Sequence, residues 1–259
     1  MTSEARSGSD SRAGRDDPRD PYRDTTPIPT GRIALVALFV TALVTAQLTA
    51  SKLLGFSIPF ELPFTGAMLV MPGAALAYAL TFFASDCYSE LYGPEEAHKM
   101  VNVGFAMNFV LLALVYSTIA APAAPFGSVD PAAFERVLGA SLDIVVASLL
   151  AYVVSQHWDV RVFHKVRELT DGDDLWVRNV ASTASSQLLD TLIFVFVGFA
   201  AMPALRGGDA MALNGLLGLV VGQYVLKLVI AVADTPFVYA TVGFLRSRES
   251  AVPAPRTAD

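Results

Sequence analysis

Long apolar runs are the feature of this sequence that most constrains its fold. A helix needs about 20 mostly apolar residues to cross roughly 30 Å of hydrocarbon at about 1.5 Å of rise per residue. The chain has 259 residues, of which 54% are hydrophobic and only 16% charged. We therefore predict an all-α fold, a polytopic membrane protein built as a six-transmembrane-helix bundle. The predicted spans are residues 33–54, 66–91, 100–121, 139–158, 176–202 and 212–245.

Prolines punctuate two of these runs. The last run is long, but two crossings with a turn would need more than about 40 residues, so we predict one helix. Pro236, after Asp234 and Thr235, removes a backbone donor and predicts a kink. Pro72 and Gly73 predict a similar bend in the second span.

The two ends of the chain differ from the apolar middle. The first thirty residues are rich in Asp, Arg, Ser and Pro and offer little to bury, and they lack the apolar stretch of a secretory signal. We predict three parts. These are a disordered cytoplasmic tail over residues 1–30, a six-helix membrane domain over residues 31–246, and a flexible C-terminal tail over residues 247–259.

Lys and Arg are divided unevenly between the two sides of the predicted bundle. Cytoplasmic loops of membrane proteins carry the excess of these residues. If both termini are cytoplasmic, only Arg136 and Arg206 fall in the loops of the opposite side, with Lys52 and Lys227 in or near spans. We therefore predict a multi-pass protein of the cell membrane with both termini inside.

Several predicted spans carry a polar stripe on an otherwise apolar helix. In the fifth span the polar residues fall at offsets 0, 3, 4, 7, 8 and 11, which is one helical face. The fourth span repeats this pattern, and the second and sixth spans carry charged residues at helical spacing. The stripes are Asn179, Ser182, Thr183, Ser186, Gln187 and Asp190; Ser148, Tyr152, Ser155, Gln156 and Asp159; Gln223, Lys227 and Asp234; and Asp86 with Glu90.

Ionisable groups inside a membrane need partners, because each costs about 2.5–3.5 kcal/mol near the bilayer centre. Lys227 could pair with Asp86, Glu90 or Asp190 for structure alone, and Asp86 and Glu90 could simply mark a solvated helix end. We favour stripes that converge on a cavity for a polar, planar solute. The predicted substrate-binding residues are Asp86, Glu90, Gln156, Asp159, Asn179, Gln187, Asp190, Gln223 and Lys227.

Other functions find little support in the sequence. The net charge of −6 speaks against nucleic-acid binding, and a single cysteine, Cys87, cannot form an intrachain disulfide. No glycine-rich phosphate loop is present, so we expect no ATP hydrolysis by this chain. The three histidines lack metal-ligand spacing, and we predict no catalytic residues, no metal and no cofactor.

Five strings of the chain resemble the queuosine precursor transporter family, also called the vitamin uptake transporter family. The resemblance extends over about residues 33–245. It implies a six-helix importer of 7-deazaguanine bases, the nitrile and aminomethyl precursors (preQ0 and preQ1) of the tRNA bases queuosine and archaeosine. The strings are "AQLTASKL" (46–53), "TFFASDCYSELYG" (81–93), "SQHWDVRVFHKVR" (155–167), "LWVRNVASTASSQLLDTLIF" (175–194) and "GQYVLKLVIAVADTPFVYA" (222–240).

The implied substrate agrees with the stripes. A 7-deazaguanine presents N–H groups that a carboxylate can accept, for which Asp190 or Glu90 is suited, and a carbonyl that Gln156 or Gln187 can bind. An aromatic ring could stack on the base. The aromatic candidates are Tyr88, Tyr92, Trp158 and Tyr224.

Two alternatives stay open at this point. The chain could be the substrate-binding subunit of an energy-coupling-factor vitamin transporter, or a membrane enzyme in which Asp86, Glu90 and a histidine act as acid and base. We expect the lipid bilayer and a small deazapurine base as partners and no nucleic acid. The sequence leaves open a homodimer or a coupling subunit.

Overall fold

Eight α-helices and one β-hairpin make up residues 28–169 and 175–250, the part of the chain that this computed structural model describes. Of the predicted tails over residues 1–30 and 247–259, the parts over residues 1–27 and 251–259 lie outside it. In chain order the elements are α1 (Thr30–Thr49), β1 (Leu53–Leu62), β2 (Gly66–Pro72), α2 (Ala74–Tyr92), α3 (Pro94–Ala120), α4 (Pro131–Gly139), α5 (Ser141–Leu169), α6 (Leu175–Phe196), a π-helical turn (Val197–Ala201), α7 (Met202–Leu205) and α8 (Leu213–Ser250).

Five helical segments are long and apolar enough to cross a membrane. The prediction of a polytopic, largely helical membrane protein is therefore confirmed. Helix α2, which carries Asp86 and Glu90, is not among the five, so the sixth span stays a prediction, as does the cytoplasmic side of the termini. The five segments are Thr30–Thr49, Pro94–Ala120, Pro131–Val166, Ala181–Leu205 and Leu213–Ser247.

The predicted helix over residues 66–91 is wrong in its first third. Residues 66–72 form β2, which pairs antiparallel with β1 in a two-stranded sheet. The chain reverses at Phe64 and Gly66, whose φ angles of 69° and 63° suit a tight turn. Pro72 then ends the strand and α2 starts at Ala74, so the expected bend is a change from strand to helix.

The later helices follow the predicted runs with shifted ends. The fourth run continues to Leu169, and the fifth contains the π-helical turn near its end. The sixth run is one helix with Pro236 inside, as predicted, and it continues through Ser250 into the region expected to be a flexible tail.

Two sides of the bundle can be defined by the helix ends that meet there. On the hairpin side, Arg206 donates to the Gly139 carbonyl at 3.0 Å and to Asp143 at 3.1 Å, and Tyr116 donates to the same carbonyl at 2.9 Å. Asp143 raises the pKa of the Arg206 guanidinium by accepting this hydrogen bond.

On the opposite, terminal side, the first and last helices both reach the junction of α2 and α3. Arg32 forms an ion pair with Glu96, and Arg246 donates to Glu90 at 2.9 Å. Because α1 begins and α8 ends at this junction, both ends of the described chain emerge on one side of the bundle.

The hairpin is packed tightly against α8. A Cβ added to Gly222 would lie 1.8 Å from the Val70 carbonyl oxygen, and one at Gly218 would lie 2.5 Å from Thr65. Only glycine permits this close approach of strand and helix. The contact fixes β2 beside α8, next to the start of α2.

Two apolar clusters fill the interior and leave a cavity where they meet. The first, near the hairpin side, includes Ala46, Ala151 and Phe194. The second, near the terminal side, includes Phe39 and Leu43. Members of both clusters line the cavity, which is described next.

Candidate functional site

A cavity of about 210 Å³ lies between α1, α2, α3, α5, α6 and α8. A single water needs roughly 10–15 Å³ by the same measure, so the space suits a small organic molecule. Its lining is Phe39, Leu43, Pro72, Ala74, Ala75, Tyr78, Thr81, Phe82, Ser85, Val101, Phe105, Ser148, Ala151, Tyr152, Ser155, Gln156, Gln187, Asp190, Phe194, Gln223, Leu226, Lys227 and Ile230.

Five of the nine predicted binding residues lie on this one cavity. Helix α5 contributes Gln156, α6 contributes Gln187 and Asp190, and α8 contributes Gln223 and Lys227. Gln187 and Asp190 are three residues apart, and Gln223 and Lys227 are four residues apart. Each pair therefore lies on one face of its helix, and that face lines the cavity. The polar stripes of three separate helices therefore converge.

Lys227 and Asp190 form an ion pair at the edge of the cavity. The lysine Nζ donates to Asp190 Oδ2 at 2.7 Å and to the Thr191 hydroxyl at 3.1 Å. The Lys227 side chain is 19% exposed and that of Asp190 is 29% exposed. Of the three partners that the sequence left open for Lys227, the structure selects Asp190. The pair is charge-neutral, and both groups remain within reach of a ligand.

Gln223 adds a polar group that is not yet satisfied. Its amide nitrogen is buried and has no hydrogen-bond partner among residues 28–169 and 175–250. It lies one helical turn before Lys227 on α8. An acceptor on a ligand in the cavity would complete its hydrogen bonds.

Aromatic rings and hydroxyls outside the nine predicted binding residues complete the lining, and Ser148 and Tyr152 among them belong to the polar stripe predicted for the fourth span. The Tyr152 and Phe105 rings lie 4.5 Å apart between centroids, and the Tyr78 hydroxyl is 3.4 Å from the Ser148 hydroxyl. The rings suggested for stacking lie elsewhere, since none of them lines the cavity. These are Tyr88, Tyr92, Trp158 and Tyr224.

Helix α2 faces the cavity with its uncharged polar side. Tyr78, Thr81 and Ser85 lie at offsets 0, 3 and 7 and line the cavity, whereas Asp86 and Glu90 do not. The helical spacing of Thr81 and Ser85 was visible in the sequence. It could have indicated Tyr78, one turn earlier.

The remaining predicted site residues lie outside the cavity lining. Asp86 is exposed, and Glu90 accepts from Arg246 on the terminal side. Asp159 accepts from the Ser186 hydroxyl at 3.1 Å and so joins α5 to α6. The Asn179 side chain lies outside what the structure describes. The solvated helix end is thus the structural setting of Glu90.

Two comparisons with known proteins establish the family of this chain. A family model described as "Putative vitamin uptake transporter" matches residues 72–241. A relative from Bacillus subtilis (strain 168), named "Probable queuosine precursor transporter", is 33% identical over 165 residues, which are 63% of this chain and 68% of the relative. The chain belongs to this transporter family.

The resemblance seen in the sequence is thereby confirmed. A second relative, from Haemophilus influenzae (strain ATCC 51907 / DSM 11121 / KW20 / Rd), carries the same name as the first and is 29% identical over 127 residues, 48% of this chain and 50% of the relative. No solved structure matches the chain. The family match contains all nine predicted binding residues but begins at Pro72, the last residue of the hairpin, and so leaves out α1.

Proposed function

We propose that this chain imports a 7-deazaguanine base, a precursor of queuosine or archaeosine, across the cell membrane. The observation that carries the proposal is the meeting of the Lys227–Asp190 pair with three glutamines on one cavity of about 210 Å³ inside a membrane bundle. Both relatives described above are named queuosine precursor transporters. We also propose that both termini are cytoplasmic.

The polar groups match the edge of such a base. The Asp190 carboxylate accepts from base N–H groups, and the amides of Gln156, Gln187 or Gln223 donate to its carbonyl. The base ring packs against Tyr152 and Phe105, whose flat faces favour offset stacking. Lys227 donates to the Asp190 carboxylate at 2.7 Å and so holds it in place while the base binds.

Uptake of a radiolabelled 7-deazaguanine precursor tests the proposal. The host is a cell that cannot make the base, and the preQ0 and preQ1 forms are assayed separately. We expect Asp190→Asn to lower uptake at least tenfold, because a neutral amide presents one acceptor in place of the carboxylate's two. Glu168→Gln is the matched control, since Glu168 pairs with Lys165 on the exposed surface.

The double variant Lys227→Met with Asp190→Asn separates binding from structure. It removes both charges together and leaves no unpaired ion. Loss of uptake with a folded protein supports a binding role for the pair. Full uptake would show that the pair is structural and would contradict the assigned site.

The alternative function is the substrate-binding subunit of an energy-coupling-factor vitamin transporter. Two observations support this alternative. The sequence has no phosphate-binding loop, and the family is described as vitamin uptake transporters. Uptake by the purified chain alone in proteoliposomes supports independent transport. Dependence of uptake on a co-purified coupling subunit and its ATPases supports the alternative.

A further inference from the structure

Two carboxamide side chains outside the cavity lining are buried without partners. Gln47 on α1 is 1% exposed and Asn108 on α3 is 0% exposed. Neither amide oxygen and neither amide nitrogen has a hydrogen-bond partner in the part of the chain that the structure describes. Buried polar groups are nearly always paired, and an unpaired one destabilises the fold. These two amides therefore require a reason other than stability.

Gln47 continues the face of α1 that lines the cavity. Phe39 and Leu43 line it, and Gln47 follows at the next i+4 position on the same face. The Gln47 amide lies beside the Tyr78 hydroxyl, although the two do not meet hydrogen-bond geometry. Tyr78 itself lines the cavity. Gln47 thus lies just outside the lining, beside Tyr78.

Asn108 has the equivalent position on α3. Val101 and Phe105 line the cavity, and Asn108 follows at offsets of 7 and 3 from them, on the same face. The two helices start together on the terminal side, where Arg32 binds Glu96.

The contact between α1 and α3 places the two amides at one level. A Cβ on Gly104 would lie 2.5 Å from the Phe39 ring and 3.1 Å from Leu43, so Gly104 packs between these two side chains. Asn108 lies one turn beyond Gly104, about 6 Å along the helix axis, and Gln47 lies one turn beyond Leu43. Both amides therefore stand just outside the lining, beside the hairpin-side part of the cavity.

We propose that Gln47 and Asn108 form a second subsite, continuous with the cavity and closed in this conformation, which binds the uncharged polar edge of a planar base. Each carboxamide offers one acceptor and two donor hydrogens and so matches an N–H group beside a carbonyl. The bound base satisfies the amides when α1 and α3 move apart. The identity of the ligand rests on the proposed function, but the opening of the subsite does not.

Cysteine labelling tests the opening without assuming a substrate. In a Cys87→Ser background, Gln47→Cys and Asn108→Cys are treated with a water-soluble maleimide. Ala46→Cys is the control, because Ala46 is 0% exposed and belongs to the apolar core. We expect both test cysteines to react at least tenfold faster than the control. Rates equal to that of the control would overturn the subsite.

Protection by ligand tests its chemistry. We expect 7-deazaguanine to slow labelling of both cysteines at least fivefold, and 7-deazapurine, which lacks the carbonyl and amino groups, to leave the rates unchanged. Fast labelling without protection by 7-deazaguanine would overturn the assigned ligand class. In that case, uptake of the base by the unmodified chain shows separately whether the proposed function fails with it.

Leucine substitution distinguishes a binding role from a structural one. Gln47→Leu and Asn108→Leu remove the unpaired amides, so we expect the thermal midpoint in detergent to hold or rise while uptake falls at least tenfold. Gln47→Met and Asn108→Met replace any leucine variant that does not fold. Folded variants with unchanged uptake would overturn the subsite while leaving the importer function intact.

Discussion

Lys227 and Asp190 are the charged residues in the lining of the cavity. Both groups are partly exposed, so the low dielectric of the interior acts on them only in part. Thr191, which is fully buried, holds the lysine from a second direction at 3.1 Å. The pair is therefore held in place but remains accessible to a ligand, as a binding group must be.

We predict that either single substitution in this pair costs more stability than the two together. Asp190→Asn or Lys227→Met leaves one charge without its partner, and we expect a loss of roughly 1–3 kcal/mol, below the 3–5 kcal/mol of a fully buried pair. The double variant should recover most of that loss. Thermal unfolding of the four proteins in detergent gives the coupling energy, and strictly additive losses would contradict the prediction.

Arg206 carries a second prediction at the residue scale. It donates to the Gly139 carbonyl and to Asp143, whose residue is only 7% exposed. Arg206→Met leaves that carboxylate without its cation, and we expect a loss of about 1.5–3 kcal/mol in unfolding free energy. Arg136→Met, on the exposed surface of α4, should stay within about 0.5 kcal/mol. Equal midpoints for the two variants would contradict this role.

The contact between β2 and α8 can be tested by adding one methyl group. We predict that Gly222→Ala destabilises the protein by roughly 1–3 kcal/mol, because its Cβ would overlap the Val70 carbonyl. Gly243→Ala on the same helix meets nothing within 4 Å and should stabilise by about 0.5–1 kcal/mol through helix propensity. Thermal unfolding of both variants measures the difference, and a neutral Gly222→Ala would argue against the close packing.

Helical spacing predicted the elements that build the cavity on α5, α6 and α8. Gln156, Gln187, Asp190 and Lys227 follow a 3.6-residue period inside long apolar runs, and such a pattern leaves little choice of face. The partner of Lys227 was not predictable, since it depends on how α6 and α8 pack. The spacing of polar residues along one helix shows which face turns inward, but it does not show how that helix packs against another.

The errors at the second span have equally physical causes. A short apolar run such as 66–72 reads alike as strand or helix, and the strand appears only when β1 supplies its hydrogen bonds. On α2 the prediction chose the face with Asp86 and Glu90 because these residues are charged. Glu90 meets Arg246 at the exposed end of the helix, whereas the cavity takes the neutral face of Thr81 and Ser85.

At the scale of the whole molecule, the chain has two unlike sides. The terminal side holds the α2–α3 junction, where Arg32 and Arg246 meet two glutamates, and both ends of the described chain. The hairpin side holds the β-sheet and the loop before α4. The cavity lies between them and reaches Pro72 at the end of the hairpin, with Gln47 and Asn108 just outside its lining. A substrate moving along this path between the sides would pass through the cavity that holds the Lys227–Asp190 pair.

The direction of this path depends on which side faces the cytoplasm, and we predict the terminal side. The loops there carry more Lys and Arg than those of the hairpin side, and such loops stay inside the cell. In a Cys87→Ser background, Phe126→Cys reports on the hairpin side, since Phe126 is 89% exposed in the loop before α4. Lys165→Cys, near the end of α5, reports on the terminal side.

A membrane-impermeant maleimide applied to intact cells should label Phe126→Cys and should reach Lys165→Cys only after permeabilisation. The opposite result would show that the hairpin side faces the cytoplasm. The hairpin-side part of the cavity, beside Gln47 and Asn108, would then face the cytoplasm, and opening of α1 and α3 there would release the base instead of admitting it. The same two cysteines therefore decide the orientation and, with it, the end of the cavity that an imported base enters first.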